Sequence, residues 1–216
     1  MSGSELLRSD LRLIASVVPE GSRVLDLGCG DGALIAHLRD ERGCTVRGVE
    51  LDHADIAAAL ARGLSVVEAD LDGGLSAYTD GSFDYVVLSQ TLQVVKRPAF
   101  VLHEMLRVGR RCVISFPNFG HWKVRGYLAT KGRMPVSRSI PFSWYDTPNI
   151  HHTTIEDFRE FVAANGGEIE REIALLTEGW RRAEIRRVSV WPNMLADTAV
   201  VVVRPPAVSH GLSCPK

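Results

Sequence analysis

Cysteine is sparse. Cys29, Cys44, Cys112 and Cys214 are the only four in 216 residues, and no two stand in a C-x-x-C spacing. That scatter excludes a disulfide scaffold, offers no zinc knot and suits a reducing compartment. Seven histidines are equally dispersed, and only His151 and His152 adjoin. Neighbours on an extended chain point to opposite sides, so no metal site is expected. An excess of either charge is also missing: 25 Lys and Arg meet 26 Asp and Glu, for a formal net charge of −1. No global field then draws the chain onto nucleic acid or anionic lipid. No apolar run approaches the roughly 20 residues of a spanning helix, and Met1 to Asp10 has neither the basic start nor the apolar stretch of a secretory leader. A cytoplasmic chain is expected, with neither membrane nor nucleic acid as partner.

What is present is an ordinary globular balance, 45% hydrophobic and 24% charged, which predicts one domain over 1–204 and a mobile tail over 205–216. Apolar residues at helical spacing predict a helix over 5–18, and Val24-Leu25-Asp26-Leu27 reads as a buried strand. The alternation continues with helices over 33–39, 54–62 and 98–108 and strands over 45–51, 65–69, 83–89 and 111–116. That order predicts a Rossmann-like, doubly wound α/β fold with a mostly parallel sheet. Residues 119–153 lose the period and read as an insertion or cap after strand five. A helix over 154–165 follows, then an antiparallel pair, 168–176 and 198–203, with a loop over 179–193 between its strands.

The strongest signal is Val24-Leu25-Asp26-Leu27-Gly28-Cys29-Gly30-Asp31-Gly32. Glycines where a strand turns into a helix permit positive φ and close backbone approach to a ligand. The spacing is G-C-G-D-G, not the G-x-G-x-x-G of pyrophosphate binders. Glu50, ending the second strand, can accept both hydroxyls of a ribose. Asp70, after the third, can accept from an adenine amino group, with Leu51 and Leu71 as apolar faces for the ring. Asp26 stands too early to reach the ribose and would order the loop. Ser89 and Gln90 end the fourth strand, where an open α/β sheet carries its reactive side. A Rossmann-like domain with another nucleotide, or none, stays open; Asp26 and Asp31 would then be loop and helix-capping carboxylates.

This constellation resembles the class I S-adenosylmethionine-dependent methyltransferases over about residues 23–118. The resemblance implies a nucleoside carrying an amino acid and no phosphate, with Asp26 attracting the amino group and Cys29, Gly30, Asp31 and Gly32 completing the loop. A narrower similarity rests on Glu104-Met105-Leu106-Arg107-Val108-Gly109-Arg110, Phe116-Pro117-Asn118-Phe119-Gly120-His121-Trp122, Gly132-Arg133-Met134-Pro135-Val136-Ser137 and Trp144-Tyr145-Asp146-Thr147-Pro148-Asn149-Ile150-His151. These blocks resemble the MetW family of methionine biosynthesis. That resemblance implies an S-adenosylmethionine or S-adenosylhomocysteine ligand and a homoserine O-acetyltransferase partner, MetX, which the chain activates or regulates.

The alternative is a free-standing methyltransferase for a small molecule. Gln90, Asn118 and His121 would wall its acceptor, and Gln90 and His121 are the candidate catalytic residues. His121 has an unperturbed pKa of roughly 6.5, suited to acid–base work, although a Gly-His-Trp segment is more often packed structure. The stretch 119–153 mixes His121, Trp122, Tyr127, Phe142, Trp144 and Tyr145 with Lys123, Arg125, Lys131, Arg133 and Arg138. Such a mixture suits a partner surface or cap, an acceptor pocket, or RNA. Arg181, Arg182, Arg186 and Arg187 form a second basic cluster that reads as a solvated face.

Overall fold

The computed structural model describes residues 9–137, 139–177 and 186–206. Expectations for residues 5–8, Arg138, Arg181, Arg182, Cys214 and the tail from 207 onward lie outside the described residues. The elements run α1 Ser9–Val17, β1 Arg23–Leu27, α2 Ala33–Arg42, β2 Thr45–Glu50, α3 His53–Ala61, β3 Val66–Glu68, β4 Phe83–Ser89, α4 Pro98–Val108 and β5 Gly109–Pro117. They continue with α5 Trp122–Lys131, α6 Ile155–Ala164, β6 Glu168–Leu176, β7 Arg186–Arg187, α7 Pro192–Leu195 and β8 Thr198–Arg204.

Among the described residues the strands form one sheet in the order β3-β2-β1-β4-β5-β8-β6-β7. The first five are mutually parallel, and β8 runs antiparallel to both β5 and β6. Strands buried on both faces read as near-continuous apolar runs, and β1 does so because Val24, Leu25 and Leu27 are all wholly buried. Their side chains alternate between two cores. Leu25 and Leu27 pack with α4 and α6, while Val24 packs with α1 and α2. The result is the three-layer, doubly wound sheet expected from the alternation.

The register decides where a site can form. Leu27 lies opposite Val49 of β2 on one side and opposite Leu88 of β4 on the other. Strand order reverses between β2 and β4 about β1, so the chain leaves the carboxyl ends of these three strands around a single crevice.

Beyond β5 the chain holds more regular structure than its pattern predicts. Residues 122–131 are helical, ending at Gly132 with φ 60°. The helix is hard to read because only Val124 of α5 is buried, Gly126 interrupts it, and Trp122 and Tyr127 face outward. Without an apolar stripe there is no period to detect. Within the expected loop over 179–193, β7 and the start of α7 appear as short elements.

Asn118 joins these late elements to the sheet. It is 2% exposed, and its Nδ2 donates to the carbonyls of Asn193 at 3.0 Å and Ala196 at 2.7 Å. Its Oδ1 accepts from the amides of Gly120 at 2.9 Å and Ile155 at 3.3 Å. Both polar ends are thus spent on the protein, which removes Asn118 from the acceptor wall drawn from the sequence. Phe116 and Phe158, with ring centroids 4.6 Å apart, press α6 onto the same strand end.

The Glu104–Arg107 pair is also structural. Arg107 donates to Glu104 at 2.8 Å, to Asp80 at 2.7 Å and to the carbonyls of Tyr78 and Leu75 at 2.9 and 3.0 Å, while Glu104 accepts from the Leu75 amide at 2.8 Å. The loop before β4 is clamped to α4 by charge-assisted bonds.

Asn118→Ala takes the side-chain partner from the carbonyls of Asn193 and Ala196 and from the Gly120 amide, while the Ile155 amide keeps Asn193 Oδ1 at 3.1 Å. Urea unfolding is expected to show a loss of about 2–4 kcal/mol at unchanged slope. A loss below about 0.5 kcal/mol would mean that these elements are held by other contacts.

Candidate functional site

The glycine loop is built by its own backbone. Gly28, Gly30 and Gly32 have φ of 68°, 53° and 79°, in the left-handed region where side chains are rare. The amides of Gly28 and Cys29 both donate to the carbonyl of Val49, at 2.8 and 3.1 Å, which laces the loop to the end of β2. A Cβ at Gly28 would stand 2.7 Å from the hydroxyl of Thr91, and one at Gly32 would collide with Leu64. Bare backbone at Gly28 and Gly32 is therefore a packing requirement as well as a conformational one.

Glu50 organises the neighbouring turn. One carboxylate oxygen accepts from the Gly30 amide at 2.8 Å, and the other accepts from the amides of Leu51 and Asp52 at 2.7 and 3.1 Å. A carboxylate has about four acceptor positions, so these three bonds orient the group without exhausting it. Asp70 opens the single turn Leu71–Gly73 by accepting from the Asp72 amide at 2.9 Å. Leu51 is 57% exposed at the rim, and Leu71 is partly buried.

A cleft of two confluent parts runs between these groups. One part, about 490 Å³, is lined by Glu50, Leu51, Asp70, Leu71, Val95 and Lys96 among others. The other, about 380 Å³, is lined by Leu11, Asp26, Cys29, Gly30, Asp31, Asp55, Ser89 and Gln90 among others. Gly28, Glu50, Thr91 and Val94 border both. The structure thus brings together every ligand-site residue expected from the sequence except Gly32, whose part is to turn the loop into α2. Thr91, Asp55, Val94 and Lys96 were not foreseen. Thr91 is recognisable only once β4 is placed beside β1, so no local signal marks it.

The electrostatics are one-sided. Asp26, Asp31, Glu50, Asp52, Asp55, Asp70 and Asp72 line the cleft against one basic side chain, Lys96. Asp31 is already paired with Arg62 at 2.6 Å. Burial, with the like charges of Glu50, Asp52 and Asp31, raises the Asp55 carboxyl above its ordinary range. Asp26 is the extreme case: it is 3% exposed, and its Oδ1 finds no hydrogen-bond partner among the described residues. Burial, and then the nearby charge of Glu50, push its carboxyl up to about 8. Such a cleft repels phosphate and suits a ligand carrying positive charge, with the bare oxygen of Asp26 fitted to an ammonium.

On the reactive side Ser89, Gln90 and Thr91 are neutral, and the Cys29 thiol is pushed up to about 12, first by burial. Gln90 holds φ 55°, a left-handed conformation, while its amide donates to the carbonyl of Ser115 at 3.0 Å. His121 is 3% exposed just before α5, beside Trp122, and does not border either part of the cleft. The arrangement can hold and orient a ligand, and the group of its lining that titrates nearest neutrality is the buried Asp26 carboxyl. Among the described residues no helix is long and apolar enough to cross a membrane.

Sheet order, glycine loop and cleft define the Rossmann-like fold of class I S-adenosylmethionine-dependent methyltransferases. A SAM-dependent methyltransferase from Thermotoga maritima superposes with a TM-score of 0.68 at 18% identity, covering 91% of this chain and 87% of that one. Magnesium protoporphyrin IX methyltransferase from Synechocystis, solved with bound SAH, gives 0.60 at 17% identity, covering 91% and 80%. The family model described as methionine biosynthesis protein MetW matches residues 8–203, and the chain belongs to the MetW family. A curated relative, the bifunctional methionine biosynthesis protein MetXA/MetW of Rhodopirellula baltica, is 39% identical over 204 residues. That match takes in 90% of this chain and 32% of the relative, so the chain spans about a third of the relative's length. A ubiquinone biosynthesis O-methyltransferase of Pseudomonas aeruginosa is 29% identical over 106 residues, 45% of each protein.

The raised Asp26 carboxyl has a stability consequence. Its proton is held more tightly in the folded chain, so its contribution to stability is full below about pH 3.8, shrinks as pH rises, and is gone above about 8. Asp26→Asn removes that loss. Without ligand, the variant is expected to melt at least about 3 °C higher than the parent at pH 8.5 and to converge with it near pH 4. Equal melting temperatures at pH 8.5 would contradict the burial argument.

Proposed function

We propose that this MetW-family chain binds S-adenosylmethionine or S-adenosylhomocysteine in the acid-lined cleft and, in the cytoplasm, regulates a homoserine O-acetyltransferase partner of the MetX type. The observation that carries the ligand reading is the buried Asp26 carboxyl, whose Oδ1 has no partner among the described residues and which lies beside the half-open acceptors of Glu50.

In this reading Asp26 ionises to receive the ligand's ammonium. Gly28, Cys29, Gly30 and Gly32 keep the backbone low enough for the amino-acid portion to lie across the loop, and Asp31 holds the start of α2 by accepting from the Ala33 amide at 3.2 Å. Glu50, already aimed by three amides, uses its remaining lone pairs on the ribose hydroxyls. Asp70 accepts from the adenine amino group while Leu51 and Leu71 cover the ring. Ser89 and Gln90 close the reactive end. S-Adenosylmethionine, when bound, supplies an activated methyl group on a sulfonium.

The partner reading draws on the Rhodopirellula relative, whose name joins MetXA and MetW in one chain. The face offered to the acetyltransferase is the late segment, where Phe142, Trp144, Tyr145 and Ile150 are 42, 72, 76 and 54% exposed. Aromatic side chains of this size are the usual anchors of protein interfaces. The second reading, a free-standing methyltransferase for a small molecule, is favoured by the opening of Ser89 and Gln90 into the same cleft. It would need only orientation, since a sulfonium donor is already reactive. His121 takes part in neither reading.

One measurement tests the ligand site that both readings share, and a second separates the readings. Glu50→Ala is expected to weaken S-adenosylhomocysteine binding by about 1–3 kcal/mol in calorimetry; unchanged affinity would misplace the ribose. The acetyltransferase, assayed with and without this chain and titrated with either S-adenosyl ligand, should be activated by the chain and respond to the ligand. Absence of any effect, together with methyl transfer from labelled donor to a metabolite extract, would install the second reading.

A further inference from the structure

Accepting the ligand reading above, we propose that Gln93 is the positioning residue that transmits occupancy of the nucleoside cleft to the exposed aromatic segment, making the partner-facing surface ligand-responsive. The argument starts at Gln90, which lines the cleft in a left-handed conformation, φ 55°, that a residue with a side chain adopts only under constraint. Part of that constraint comes from Ser115, whose carbonyl and hydroxyl accept from the Gln90 amide at 3.0 and 3.2 Å. The rest comes from Gln93, whose side-chain Nε2 donates to the Gln90 carbonyl at 2.8 Å.

Gln93 holds the late segment with its other end. Its main-chain carbonyl accepts from the amides of Ile150 and His151, at 2.9 and 3.1 Å. These two residues end the run that exposes Trp144 and Tyr145. One residue, 7% exposed and outside the cleft lining, therefore bonds the strained cleft residue through its side chain and the aromatic segment through its backbone. A ligand that moves Gln90 can reach Ile150 through a single intervening residue.

The junction is also unfinished. Gln93 Oε1 and His151 Nε2 are both buried without a hydrogen-bond partner among the described residues, and both side chains border one small cavity of about 10 Å³. That is barely the room of one water. Buried polar atoms left open are a cost that a second arrangement of the junction can relieve, and coupling needs such a second state. Binding energy passes between the sites only where the ligand prefers one arrangement over the other.

Hydrogen exchange read by mass spectrometry, with and without S-adenosylhomocysteine, tests this on the whole chain. In the parent, ligand should change protection over 147–153 as well as around the cleft. Gln93→Met keeps the backbone bonds and much of the volume but loses the Nε2 donor. It should bind S-adenosylhomocysteine within about threefold of the parent while the ligand-dependent change over 147–153 falls at least about threefold. The acetyltransferase response should then no longer depend on ligand. A purely structural role would shift exchange equally in both states and leave the difference intact. Should the thioether fail to fold, Gln93→Leu, which likewise keeps the backbone bonds and has neither donor nor charge, is read the same way.

The proposal is overturned if either folded variant keeps the full ligand-dependent change, or loses S-adenosylhomocysteine binding, which would place Gln93 in the cleft itself. It is also overturned, with the ligand reading intact, if the parent binds S-adenosylhomocysteine with no change over 147–153. No binding by the parent overturns both.

Discussion

Burying one carboxyl group beside another is the constraint around which this molecule is arranged. Asp26 sits on β1, on the α1 and α2 side of the sheet, among the wholly buried Val24, Leu25 and Leu27, and Glu50 ends the adjacent strand. A core position given to Asp26 costs stability in the empty chain, and a fold retains such a residue most readily where a counter-charge arrives from outside. The surroundings follow from that requirement. The loop after Asp26 is nearly all glycine or small residues, so backbone can approach a ligand. Its amides are tied to Val49 and Glu50, so the loop keeps its shape without the ligand's help.

The second half of the chain extends this frame sideways. β8 enters antiparallel beside β5, which brings α7 and the start of α6 to the sheet end that carries the crevice. Asn118 holds those elements with four side-chain hydrogen bonds, and Gln93 ties the segment around Ile150 to the loop after β4. The elements added to the Rossmann-like core are thereby rooted next to the site instead of hanging from a distant edge. This placement gives physical sense to the sensing role proposed above.

The parallel core was legible because its strands are short apolar runs ending in punctuated turns, and because G-C-G-D-G, Glu50 and Asp70 fall at successive strand ends. Those features are local. What stayed hidden depended on packing between distant parts. α5 has almost no buried side chain to mark a period, and Thr91 reaches the cleft beside Gly28 only because β4 lies next to β1. Asn118 and His121 looked chemical in a strand-end motif, yet Asn118 is consumed by main-chain partners and His121 is buried and borders neither part of the cleft. In the same way, the motif around Glu104 and Arg107 proved to be a clamp on a loop. A conspicuous motif can mark a structural knot as readily as a site, and only the hydrogen-bond partners separate the two.

The central claim is that Asp26 waits, protonated, for the cationic amino group of an S-adenosyl ligand. The most direct test is isothermal calorimetry of S-adenosylhomocysteine binding at pH 7 in two buffers of different ionisation enthalpy. With the carboxyl at about 8 in the free chain, pairing with ammonium drives its proton off, so binding should release nearly one proton per ligand, and Asp26→Asn should abolish that release. Binding of equal enthalpy in both buffers would show that Asp26 is already ionised, or that the ligand's charge never meets it, and would contradict the account.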